Sequence, residues 1–217
     1  MPNDATRGAA AFEPAALAER QADTVGKPPR IPPMTPEEMS PEALGVVKDM
    51  RKAVGLNPDD LTEVPDYMSI VLRHAGLYEK FGYWGLELLA HGALPVRDRE
   101  LAVLRTGWLH RAPFEWGEHV GFVKRAGCLT PDEVERIKRG SSDPAWNDAD
   151  RAVLRAAEEL HADSMLSEAT WAALAKRFDQ KQLIELPFVI GHYTMVAYYQ
   201  NALRIPMAAG NDGLNAR

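Results

Sequence analysis

Three observations predict an all-α chain. Helix-start signals recur at Thr35-Pro-Glu-Glu38, Ser40-Pro-Glu-Ala43 and Thr130-Pro-Asp-Glu133. Each sets a hydroxyl cap before a proline at the first helical position, with acids in the first turn. Apolar residues fall at helical spacing, as Leu101, Leu104 and Trp108 do. No long alternating run marks a strand.

The elements follow in order. Eight of the 16 prolines lie in the first 41 residues. Residues 1–35 therefore read as a Pro-rich tail or arm, either disordered or lying on a partner subunit. Ala9–Phe12 and Pro14–Arg20 could form a short helix within it. Thr35 and Ser40 each open a helix, the second running through Met50. Asp66 to about Phe81 and Tyr83 to His91 read as two further helices, and Gly92-Ala-Leu-Pro95 breaks the chain. Val96–His110 and Phe114–Ala126 form a pair around Ala112-Pro113. A capped start at Thr130, then Asn147–Asp163, Ser167–Phe178 and the apolar segment Lys181–Leu203 complete a helical domain over 36–207. Leu186-Pro-Phe-Val-Ile190 resembles a strand locally, but the segment's length favours a buried helix. Residues 208–217 read as a loose tail.

Composition limits the function. The chain has 217 residues, 46% hydrophobic and 26% charged, enough to bury a core. Its net charge of −6 argues against nucleic acid as a partner. No apolar run is long enough to span a bilayer, and no secretory signal opens the chain. The single cysteine, Cys128, cannot form an internal disulfide or a Cys-x-x-Cys pair, so a cytoplasmic setting is the expectation. Phosphate loops, dinucleotide fingerprints, the Gly-x-Ser-x-Gly elbow and His-Glu-x-x-His are absent from the sequence.

Chemistry-bearing residues are densest from Arg97 to His119. Glu115 and His119 stand four apart, on one helix face and within side-chain reach. A carboxylate so placed can orient an imidazole, and His119 would then change charge near neutral pH. The plainer alternative is a helix-start acid beside a surface histidine. Glu100 could project towards the same face, or pair with Arg97. Arg105 interrupts an apolar helix and needs an anion, either Glu100 or a substrate carboxylate. His110, Glu115 and His119 could together hold a metal, but nothing beyond the Glu115/His119 pair enforces convergence, so no metal is expected. His192, alone among apolar residues, reads as a core histidine with satisfied hydrogen bonds.

Those residues also carry a likeness. Leu94-Pro-Val-Arg-Asp-Arg-Glu-Leu-Ala-Val-Leu-Arg-Thr-Gly-Trp108, then Phe114-Glu-Trp-Gly-Glu-His-Val120, resembles the carboxymuconolactone decarboxylase family, which shares the alkylhydroperoxidase D-like fold. Gln182-Leu-Ile-Glu185 and Gly191-His-Tyr-Thr-Met195 resemble its C-terminal helix. The resemblance implies an all-helical subunit assembling into trimers or hexamers, with sites near subunit contacts. In the peroxidase branch a glutamate precedes Cys-x-x-Cys and a histidine. Glu100 and His119 match the glutamate and the histidine, while Ala112 and Glu115 occupy the cysteine positions. Without that dithiol no disulfide cycle can reduce a peroxide.

The resulting expectation is a cofactor-free, decarboxylase-like lyase acting on a carboxylated lactone or a related intermediate of aromatic catabolism. His119 would transfer the proton, Glu115 and Glu100 would orient it, and Arg105 would clamp the substrate carboxylate with Arg111 in reserve. Trp116 and His110 would line the pocket. The alternatives are a non-catalytic ligand-binding oligomer, a metal-dependent hydrolase or hydratase on Glu115 and His119, and a redox protein using Cys128.

Overall fold

The computed structural model describes residues 14–61 and 64–217. Among them are ten α-helices and no strand. They are α1 (Pro14–Thr24), α2 (Pro41–Ala53), α3 (Asp66–Val71), α4 (Ala75–Ala90), α5 (Val96–Leu109), α6 (Pro113–Ala126), α7 (Pro131–Arg139), α8 (Asp148–Asp163), α9 (Glu168–Ala175) and α10 (Gln180–Leu203).

Most boundaries follow from local chemistry. The Ser40 hydroxyl accepts from the Ala43 N–H at 3.1 Å and starts α2. Thr130 and Glu133 cap each other reciprocally at the start of α7. The Thr35 signal opens only the single 3-10 turn Pro36–Glu38. Pro41 has no N–H to extend that turn and restricts the residue before it, so the chain restarts at Ser40. The expected break near Gly82 is also displaced. A 3-10 turn over Leu72–His74 separates α3 from α4, which then runs unbroken through Gly82 and Gly85.

Helix α5 is the axis of the main core. Every residue from Asp98 to Leu109 is buried. Helices α6, α7, α8 and α10 pack around it. A smaller apolar cluster joins α2 to α4 through Val46, Val47, Leu72 and Tyr78. This second layer lies against α6 and α10, with a cavity between the two.

The short helix expected over Pro14–Arg20 is present as α1, whereas the C-terminal end differs from expectation. The Gln21 side-chain carbonyl on α1 accepts from the Leu214 N–H at 2.8 Å, so this part of the arm lies on the chain's own C-terminal segment. The Ala9–Phe12 expectation lies outside the described residues. Residues 208–217 are not loose. Leu214 and Ala216 are buried, and the Trp116 indole N–H donates to the Ala216 carbonyl at 3.1 Å. The Asn211 amide donates to Phe114 O at 2.9 Å and to Glu118 at 2.8 Å. Buried backbone and indole groups need partners, and this segment supplies them.

Arg105 shows what a buried charge demands. Its guanidinium, 1% exposed, meets Glu158 at 2.9 Å and the carbonyls of Ile137 and Lys138 at 2.9 and 3.0 Å. Glu158 also accepts from the backbone and hydroxyl of Ser141. Gly140 closes this nest at φ +80°, where a Cβ would fall 2.4 Å from the Arg105 guanidinium. Breaking such a pair leaves an uncompensated charge. Glu158→Ala should therefore cost about 3–5 kcal/mol in urea unfolding, whereas Asp59→Ala at the exposed Lys48 pair should cost under about 1 kcal/mol. Equal losses in the two variants would contradict this account of Arg105.

Candidate active site

The site is built from α5, α6 and α10. Pro113 sets the first turn of α6, which places Glu115 and His119 one helical turn apart. Glu100 reaches them from α5. His119 Nδ1 lies 2.7 Å from Glu100 Oε2, and His119 Nε2 lies 3.0 Å from Glu115 Oε1. The imidazole thus bridges two carboxylates. Each carboxylate has a further partner: Arg99 Nε donates to Glu100 Oε1 at 3.0 Å, and the Gln200 amide donates to Glu115 Oε2 at 2.9 Å. Arg99 is itself fixed by the Leu89 carbonyl at 2.7 Å.

Burial sets the electrostatics. Glu100 is 0% exposed and Glu115 5%. Burial opposes charge on His119, but Glu100 and then Glu115 outweigh it and push its pKa up to about 10. Burial likewise opposes the Glu100 carboxylate, yet His119 and Arg99 hold its pKa below the ordinary value. His119 is therefore a cation at neutral pH with both N–H groups engaged. The expectation that it titrates near pH 7 is corrected by its second carboxylate.

A cavity of about 740 Å³ opens onto this chain. Glu115, His119, His192, Tyr193 and Gln200 line it from α6 and α10. Val47, Met50, Tyr78, Phe81 and Gly85 line it from α2 and α4. Glu100 stands behind His119 and does not reach the lining. Tyr193 packs edge-on to the His119 ring at 5.0 Å. Its hydroxyl pKa is raised well above the usual value, chiefly by burial and then by Glu115. The Gln200 side-chain oxygen is buried and without a partner.

The other expected site residues lie elsewhere. Arg105 belongs to the Glu158 nest and is not a cavity-lining clamp. Arg111, with φ +47°, is in the turn before α6, near Arg20 and outside the lining. Trp116 is wholly buried against Trp108 and the C-terminal segment. His110 bonds back to the Thr106 carbonyl and packs against His161 and Tyr198, away from the cavity. Cys128 is half-buried against the main core, and burial first, then Glu100, pushes its thiol pKa up. Among the described residues, no group of three His, Cys, Asp or Glu side chains is arranged to hold a metal.

Sequence reasoning missed Arg99 and Gln200, and it assigned His192 to the core. Gln200 lies eight residues beyond His192, two turns along the same face of α10. That spacing was the available signal.

The fold is alkylhydroperoxidase D-like. Solved structures that share it include an uncharacterized peroxidase-related protein from Silicibacter sp. TM1040, with TM-score 0.68, 15% identity, and coverage of 86% of this chain and 95% of that one. A second, an uncharacterized peroxidase-related protein with an alkylhydroperoxidase core from Ralstonia eutropha JMP134, has TM-score 0.68, 15% identity, and coverage of 84% and 94%. The debrominase Bmp8 has TM-score 0.61, 14% identity, and coverage of 82% and 92%. At these identities the likeness is one of fold. Residues 75–159, the stretch from α4 into α8, match the model of the carboxymuconolactone decarboxylase family. No curated protein matches the chain by sequence.

The His119 shift has a measurable sign. Its folded pKa is raised from the ordinary histidine value of 6.5 to about 10. The stabilisation is complete below the unfolded pKa and is lost as pH rises towards the folded one. Stability should therefore fall between about pH 6.5 and 10, and His119→Gln should flatten that decline. Nitrogen NMR should find both ring nitrogens of His119 protonated at pH 7. A neutral ring at pH 7 would refute the bridged imidazolium.

Proposed function

We propose that this protein is an acid–base lyase of the decarboxylase type, acting on a small ring compound that carries a carboxylate and a carbonyl, such as a carboxylated lactone. The observation that supports it most is the Glu100–His119–Glu115 chain, which ends at a large and mostly apolar cavity. Glu115 is the carboxylate that faces the substrate. His119 and Glu100 behind it let a proton move along the chain without leaving an unpaired buried charge.

The bond between ring carbon and carboxylate breaks, CO₂ leaves, and the electron pair enters the ring carbonyl as an enolate. Glu115, recharged through His119, returns a proton to that carbon, and solvent restores the proton to the site. The substrate carboxylate needs no arginine clamp in this scheme. Arg51, the arginine in the lining, is engaged by Asp60 and by the Asn57 carbonyl. A carboxylate held against Phe81, Leu86 and Val196 is stripped of water, which favours C–C cleavage. Neither a dithiol nor an acidified thiol supports the redox alternative, since Cys128 is raised rather than lowered.

CO₂ release from a panel of carboxylated lactones and β-keto acids tests the reading. Glu115→Gln and His119→Ala should each slow release by roughly a hundred- to ten-thousandfold. Release that persists in both variants, or no release from any compound, would contradict it.

A homo-oligomer belongs to the same proposal. The outer stripe of α10 is apolar and uncharged, with Ile184 61%, Phe188 53%, Met195 50% and Tyr198 61% exposed. Trp84 of α4 adjoins it through Phe188 at 5.5 Å. The paired substitution Phe188→Glu with Met195→Glu should reduce the sedimenting mass to that of one chain. A wild-type protein that sediments as a monomer at micromolar concentration would exclude this assembly.

A further inference from the structure

His192 is the one cavity histidine that the acid–base chain does not use. It lies on α10, 6% exposed, with Phe81 stacked on its ring at 4.7 Å. Tyr193 packs edge-on to it at 5.2 Å. The same tyrosine packs edge-on to His119, so the two imidazoles flank one phenol ring. Nδ1 of His192 is buried without a hydrogen-bond partner. Burial pulls the ring pKa down to about 4, with Glu115 opposing and His119 adding to the fall. The imidazole is therefore neutral and carries one N–H.

An N–H at Nδ1 would be a buried donor with nothing to receive it, whereas a proton on Nε2 leaves the donor where a group in the cavity can meet it. The proton accordingly belongs on Nε2. That atom borders Gly85, another residue of the cavity lining, and a Cβ at Gly85 would stand 3.0 Å from it. The glycine leaves room for the imidazole edge at the cavity wall. A polar group buried this deeply normally has a partner within the protein. Phe81 and Tyr193 offer ring faces and edges only, and Nε2, unlike Nδ1, is not sealed, so the partner for its N–H is a group that enters the cavity.

We infer that His192 is a substrate-binding residue that donates its Nε2–H to the carbonyl oxygen of a lactone or ring ketone held between α4 and α10. The substrate class rests on the proposed function, while the anchor itself rests on the unpartnered imidazole. As a neutral donor, His192 also suits the charge that gathers on that oxygen when the enolate forms, and it makes no bond and loses no proton in doing so. The substrate would then have its reacting carbon towards Glu115 and its carbonyl oxygen towards α4.

Two soluble probes of one shape separate the contact from packing: δ-valerolactone, which has the carbonyl, and tetrahydropyran, which lacks it. Titrated into the full chain labelled at its histidine nitrogens, the lactone should shift the His192 Nε2 resonance and the ether should not. His192→Phe keeps the stack on Phe81 but removes the donor. It should weaken lactone binding roughly three- to tenfold, the range of one neutral hydrogen bond, and leave ether binding unchanged. Gly85→Ala, which crowds Nε2, should weaken lactone binding in the same direction.

An unmoved Nε2 resonance, a lactone that does not bind, or equal weakening of both probes in His192→Phe would overturn the anchor. If the lactone preference holds and no compound releases CO₂, the anchor stands and the proposed reaction falls. If CO₂ is released while His192→Phe binds the lactone as wild type does, the reaction stands and the anchor falls.

Discussion

Charges on a helix that is buried on every side constrain the rest of the structure. Asp98, Arg99, Glu100 and Arg105 all lie on α5 with exposures of 5% or less. None can be left without a counter-charge in such a setting. Partners from outside α5 answer three of them, and Arg99 pairs with Glu100 on the same helix. Arg177 from the segment after α9 meets Asp98 at 2.6 Å. Glu158 of α8 meets Arg105. Arg99 and His119 share Glu100. Satisfying these charges fixes how the neighbouring helices sit around α5, and one of the solutions is the site.

The same constraint explains the character of His119. A lone Glu115 one turn away would make an ordinary pH-sensitive pair. Glu100, driven into the core by the direction of α5, adds a second carboxylate to the same ring. The imidazole then carries a proton that both acids hold, and the cavity-facing acid is Glu115. The second layer of helices completes the cavity wall with apolar side chains and the Gly85 gap.

Local signals in the sequence carried much of this. The caps at Ser40, Thr130, Asn147 and Ser167 are where hydroxyl or amide side chains accept from backbone N–H groups. Four-residue spacing placed Glu115 beside His119, and the family pattern brought Glu100 to them. Arg105 was visible as a charge in need of an anion, but not which anion. Its partner Glu158 lies 53 residues away, and no local rule connects them. Trp116 and His110 share the Arg97–His119 segment with the site but face other neighbours, because adjacent residues on a helix point in different directions. His192 looked like a core residue because burial is legible in an apolar segment, whereas an unmet hydrogen bond is not. The C-terminal segment is rich in Gly, Asn and Ala. Its attachment depends on the Trp116 indole and Asn211, which only the tertiary structure brings into contact.

In the proposed function Glu115, backed by His119 and Glu100, moves protons to and from carbon inside the cavity. Hydrogen–deuterium exchange at the carbons beside the carbonyl of cyclohexanone, followed by proton NMR in D₂O, tests it without knowledge of the natural substrate. The account predicts exchange accelerated by the wild-type protein and returned to the buffer rate by Glu115→Gln, with the variant folded. Exchange at the buffer rate with wild type, or acceleration that survives Glu115→Gln, would contradict it.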